Sequence, residues 1–161
     1  MTARWSVLTF ALCLSAAAMP GCGKPVDVKQ ALQVTDVSSG WFDAGIVEGK
    51  NKLVPSITFR LKKQAGVRIS SVSLNVVYKA VGSQDHFDEV YVQGVDFKGD
   101  ETAPITVRAT AGYTGDPPQS RADMLKNSQF RDMDAQIFAK AGSAQWVDLY
   151  HLTIVRQLLT K

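Results

Sequence analysis

The densest group of side chains able to do chemistry is the run SQDHFDEV, which holds Asp85, His86, Asp88 and Glu89. In an extended strand His86 and Asp88 fall on one face, because successive side chains alternate. An imidazole beside carboxylates is half of a first-row metal site. The other half is missing from the pattern: a site needs about three or four protein ligands, and the second histidine, His151, stands in a different strand-like run with no companion motif. The acids of DFKGDE, Asp96, Asp100 and Glu101, lack the D-x-D-x-D-G spacing of a calcium loop, and Gly99-Asp100 reads as turn chemistry. No serine lies in G-x-S-x-G, and GSAQW and GYTGD are turns, not phosphate loops. The residues therefore point away from an enzyme and call for no cofactor, with His86 and Asp88 as weak metal candidates.

Cys22 raises a different kind of chemistry. Before it, Met1 to Ser6 carries one positive charge, Arg4, and no acid, and Val7 to Met19 runs apolar and rich in small residues. That is the pattern of a secretory signal, too short for the roughly 20 residues a membrane-spanning helix needs. Two cuts are open. Ala16-Ala17-Ala18 offers an A-x-A site that would release a chain beginning at Met19, whereas MPGC, Met19 to Cys22, resembles the lipobox of bacterial lipoproteins. The resemblance implies residues 1–21 as signal peptide and Cys22 as the lipidation site. It also implies, from Gly23 following the cysteine, an exported chain on the outer membrane facing the periplasm. Cysteine arithmetic agrees with it, since Cys13 lies in the removed segment and Cys22 is left without a disulfide partner in a compartment that oxidises free thiols.

Length and charge bound the rest. From Cys22 to Lys161 the chain has 140 residues, and without Arg4 it carries 17 basic against 15 acidic ones, a net charge of about +2. One domain is expected over residues 29–161, on a short tether of residues 22–28. Near-balanced charge gives no case for nucleic acid or a polybasic membrane surface.

The elements that must position any site are strands. Ile57, Phe59 and Leu61 alternate with Thr58, Arg60 and Lys62, and Val72, Leu74, Val76 and Tyr78 alternate with Ser71, Ser73, Asn75 and Lys79. A hairpin-like reversal is expected at Gln64-Ala65-Gly66 and a bulge or break near Ser70-Ser71. Further strand-like runs are ALQVTDV from Ala31, DEVYVQGV from Asp88, PITVRATAGY from Pro104, and the pair DAQIFAK and WVDLYHLTIV around Ala141-Gly142-Ser143. After Gly115-Asp116-Pro117-Pro118, Ser120 and Asp123 mark the start of a short helix over residues 121–127, crossing between sheets. About seven strands at this spacing predict an all-β, immunoglobulin-like β-sandwich with Greek-key connections.

The stretch LVPSITFRLKKQAGVRISSVSLNVVYKAVG, followed by GVDFKGDETAPITVRAT, is similar in layout to small immunoglobulin-like domains on exported bacterial proteins, such as those called FxLYM. It also looks like the water-stress domain of late-embryogenesis-abundant proteins. The resemblance covers Leu53 to Thr110 and implies a fold without catalytic residues.

Binding residues are then sought among the aromatics. Trp41 and Phe42 in SSGWFDAG, Tyr113 in GYTGD and Trp146 in SAQWVD lie beside Gly or Ser at strand ends, where sandwiches place binding loops. Exposed, they would suit a sugar face or a protein partner; buried, they would plug the ends of the sandwich. Two functions follow. One is a lipid-anchored, non-catalytic protein that binds or scaffolds another envelope component through end loops or an edge strand. The other is a metal-dependent envelope hydrolase using His86 and its neighbouring acids.

Overall fold

A computed structural model describes residues 26–159. The signal segment, both cysteines and most of the tether lie outside the described residues. The chain is mostly β: one helical turn, α1 (Val28–Ala31), then β1 (Leu32–Val47), β2 (Lys50–Lys63), β3 (Ser71–Ala80), β4 (His86–Lys98), β5 (Glu101–Thr102), β6 (Ile105–Arg108), β7 (Tyr113–Gly115), α2 (Arg121–Lys126), β8 (Met133–Lys140), β9 (Val147–Thr153) and β10 (Leu158–Leu159). The strands form one curled sheet in the order β10-β1-β2-β5-β4-β3-β8-β9, with β6 and β7 paired in turn along β2.

Two arms make up this sheet. In the first, β1 and β2 form a long antiparallel hairpin closed by Glu48 and Gly49, both at positive φ, 50° and 78°. Such a pair is what a two-residue turn between right-twisted strands requires. In the second arm β3 lies between β4 and β8, and β9 flanks β8. The two-residue strand β5 is the joint, pairing Glu101 with both Lys62 and Lys98. Thr102 fastens it: its hydroxyl accepts from the Leu61 N–H and its carbonyl from the Arg60 guanidinium.

The alternation read from the sequence sets which side chains turn inward. Ile57, Phe59 and Leu61 from β2 and Leu74, Val76 and Tyr78 from β3 are fully buried in one shared core, joined by Ala135, Ile137 and Ala139 of β8. Apolar area removed from water stabilises at about 25 cal/mol per Å², and the inner faces of both arms contribute to the same cluster. Two polar contacts tie the arms. The Tyr78 hydroxyl donates to the Val107 carbonyl. Asp88 of β4 accepts from the N–H groups of Thr110 and Ala111 and from the Thr110 hydroxyl, holding the β6–β7 connection.

Several local expectations change. Residues 64–70 make no hairpin: β2 and β3 never pair, and the segment crosses from one arm to the other with Ile69 buried. Alternation alone cannot distinguish a strand that returns beside its predecessor from one that changes arm. The break expected near Ser70-Ser71 is present, since the crossing segment ends there and β3 begins at Ser71, and a register shift against β4 follows between Val72 and Leu74. The run from Pro104 to Tyr113 is two strands, β6 and β7, because residues 109–112 stand opposite only Val54 and Pro55 of β2 and the register slips between them. There Gly112 passes so close to β2 that a Cβ would stand 2.3 Å from the Leu53 carbonyl oxygen. The helix α2 starts as read: Ser120 accepts from the Asp123 N–H, and the element connects β7 in the first arm to β8 in the second. The last crossing returns the chain to the first arm, where β10 pairs in parallel with Trp41 and Phe42.

Candidate functional site

The outer face of the second arm is a grid of side chains laid out by strand register. Asn75, Val77 and Lys79 of β3 point outward, and directly cross-strand residues share a face. Asn75 lies between Tyr91 and Phe138, Val77 between Glu89 and Gln136, and Lys79 between His86 and Asp134. On β9, Asp148 stands opposite Phe138, His151 opposite Gln136 and Thr153 opposite Asp134. The resulting face is about 13 Å along β3 from Asn75 to Lys79 and about 14 Å across its four strands.

This face is hollowed. Val77 is 3% exposed although it points outward, so it forms a floor beneath longer neighbours. A hollow of about 250 Å³ is bounded by Asn75, His86, Glu89, Phe138 and Trp146. A second, of about 390 Å³, is bounded by Ser83, Gln84, Asp134, Asp148 and His151. Both are bordered by Val77, Lys79 and Gln136, so they lie side by side on this face and together are called the trough. At its first end Trp146 meets Tyr91 edge to face, centroids 5.7 Å apart, with the Lys140 ammonium 5.0 Å from the indole centroid.

Polar groups in the trough are held in pairs. The Asn75 amide donates to Glu89, and the Gln136 amide donates to Asp148 at 2.7 Å. Asp134 accepts from the Thr153 hydroxyl at 2.7 Å and lies 3.7 Å from His151 Nε2. His86 Nδ1 is 3.8 Å from Glu89. The buried carbonyl oxygen of the Asn75 side chain has no hydrogen-bond partner. What the arrangement offers is oriented acceptors, with amide donors between them, around an apolar floor.

The sequence candidates are dispersed by this geometry. His86 and Asp88 do not share a face, because a bulge at Phe87 sets Asp88 opposite Tyr78 and His86 opposite Lys79. His86 therefore opens on the trough, while Asp88 turns to the β6–β7 connection. Burial works to raise the Asp88 pKa, but the N–H groups of Ala111, Glu89 and Thr110 and the Thr110 hydroxyl outweigh it and hold the carboxyl below the usual range. Burial, and then the Asp88 charge, push the Tyr78 phenol up. Among the described residues no three His, Cys, Asp or Glu side chains converge as metal ligands would. Asp100 lies in the turn after β4, its carbonyl accepting from the Lys63 N–H, and Glu101 pairs with Lys62 at 3.2 Å.

The four aromatics also part. Trp41 is fully buried, 4.5 Å from Phe130 and 5.6 Å from Tyr113 between ring centroids. Tyr113 stacks on Phe87 and accepts from the Arg131 N–H, half-buried at the edge of that cluster. Phe42 lies on the outer face of the first arm under the Arg108 guanidinium, 3.8 Å from its centroid. Only Trp146 of the four borders the trough. Gln136, Asp148, Phe138 and Lys79 were not singled out by sequence. The alternation of Asn75 and Lys79 marked one strand of the face, but nothing local shows that β8 lies beside β3.

No protein-family model matches this chain, and neither a curated protein nor a solved structure matches it. No helix among the described residues is long and apolar enough to cross a membrane.

Proposed function

We propose that this is an exported, lipid-anchored, non-catalytic protein whose two arms act as an immunoglobulin-like β-sandwich, and that it binds another component of the bacterial envelope through the trough of the second arm. The observation that carries the reading is the trough itself: a hollowed sheet face with an apolar floor, an exposed tryptophan at one end and oriented amide–carboxylate pairs along it. Concave, largely pre-formed sites with a few fixed polar groups are where proteins take ligands. The sandwich reading is supported by the shared core between the arms and by the Tyr78–Val107 hydrogen bond across it. The anchor reading rests on Cys22 and MPGC, placing the domain close to the outer membrane on its periplasmic side. Support for a metal-dependent hydrolase weakens, since Asp88 is spent on the β6–β7 connection and, among the described residues, His86 pairs with Glu89 alone of the acids.

The test is retention of the detergent-solubilised full chain on isolated, detergent-washed cell walls, where the lipid itself is masked. The wild type is expected to be retained, the double substitution Trp146→Ala, Gln136→Ala to be released, and Arg108→Ala on the opposite face to behave as wild type. Equal retention of all three would overturn the reading.

A further inference from the structure

We infer that the ligand of the trough is a glycan strand, a chain of uncharged pyranose rings lying along β3 from the Trp146 end to the Ser83 end. This rests on the trough being the binding face proposed above and adds the class of its ligand.

Three properties of the face select that class. The first is charge. The acids Glu89, Asp134 and Asp148 outnumber the cations Lys79 and Lys140. An anionic polymer would meet net repulsion here. The second is the balance of donors and acceptors. Carboxylates accept only, amides do both, and each sugar hydroxyl brings one donor with two acceptor lone pairs. Glu89 and Asp148, each already oriented by an amide, keep further lone pairs for incoming hydroxyls, as does the unpartnered Asn75 carbonyl oxygen. A donor-rich ligand satisfies these acceptors, whereas an apolar partner would leave them desolvated and unpaired, which is unfavourable. The third is shape and polarity. Trp146 and Phe138 bring apolar side-chain area to the hollow for the C–H faces of a ring, while the polar pairs stand beside them. A pyranose presents both surfaces together.

A peptide strand fits less well. Strand addition draws its affinity from free main-chain N–H and C=O groups at a sheet edge. The trough lies on a face whose main chain is engaged in the β4-β3-β8-β9 ladders. Its length of about 13 Å along β3 accommodates more than one ring, and two hollows side by side favour a chain over a single sugar.

The experiment titrates the full chain, held in an amine-oxide detergent so that no sugar headgroup competes, with chitotetraose and with cellotetraose. Binding is read by calorimetry and by tryptophan fluorescence. Saturable binding of one of them is expected, weakened at least about tenfold, or roughly 1.4 kcal/mol, by Trp146→Ala and by Gln136→Ala. Trp146→Phe should recover part of the affinity, because the flat ring is restored. No binding of either sugar, with wall retention still dependent on the trough, would overturn the glycan inference and leave the binding face standing with a protein ligand. Sugar binding unchanged by both alanine substitutions would also overturn it, since the sugar would then sit elsewhere. Wall retention indifferent to the trough would remove the proposed function and this inference together.

Discussion

The two outer faces of this sheet obey the same alternation and end in opposite states. On the first arm the outward side chains close over one another: Thr58 bonds Thr106 across β2 and β6, Arg108 lies on Phe42, Arg60 pairs with Asp36 at 3.3 Å and Lys62 with Glu101. On the second arm a short Val77 occupies the central position, its longer neighbours pair along the rim, and a trough remains. The two faces differ in how their long side chains meet: over β2 and β6 they cross and pair with one another, whereas around Val77 they pair along the rim and leave the centre open.

Substitutions can break that contrast at several depths. The largest effect is expected in the core, where Trp41→Ala should cost about 3–5 kcal/mol, read as a lower urea midpoint. Trp146→Ala, the exposed tryptophan of the trough, should stay within about 1 kcal/mol while abolishing wall retention. Equal destabilisation by the two would mean that Trp146 is a packing residue. Asp88→Ala should come next, at about 2 kcal/mol, because it leaves N–H groups of the β6–β7 connection without their acceptor.

The pH dependence of Asp88 has a definite sign. Its folded pKa lies below the ordinary value, so its stabilisation is present above the unfolded carboxylate value of about 3.9 and is lost as pH falls through the lower folded value. Urea midpoints measured from neutral to acid pH should fall more steeply for the wild type than for Asp88→Asn. Parallel curves would remove Asp88 as the arm-to-arm tie.

On the self-satisfied face, Arg108→Ala should cost only about 0.5–1 kcal/mol through the lost contact with Phe42, and leave retention unchanged. The smallest stability effect is expected from Gln136→Ala, within about 0.5 kcal/mol, although it frees Asp148 and should weaken binding. A large loss of stability there would show that the Gln136–Asp148 pair holds the sheet instead of preparing a site.

Much of the scaffold was legible because it is written locally. The period of two gave the inward sets of β2 and β3, Ser120 with Asp123 gave the start of α2, and Ala141-Gly142-Ser143 gave the β8–β9 turn. What escaped was partnership. Nothing in Gln64-Ala65-Gly66 says that β3 leaves the arm of β2, and nothing near His86 reports the bulge at Phe87 that parts it from Asp88. The candidate site suffered for the same reason. Trp146 and His86 could be singled out by residue type, whereas Gln136 and Asp148 acquire meaning only once β3, β8 and β9 lie side by side in one register.

On the proposed function the trough, and not the opposite face, meets the envelope. A photo-crosslinking residue placed at Phe138 in the trough, and separately at Thr106 on the first arm, in the full chain produced in a bacterial host, tests it most directly. An ultraviolet-dependent adduct with cell-wall or envelope material is expected from Phe138 and none from Thr106. Adducts of equal yield from both positions, or from Thr106 alone, would contradict it.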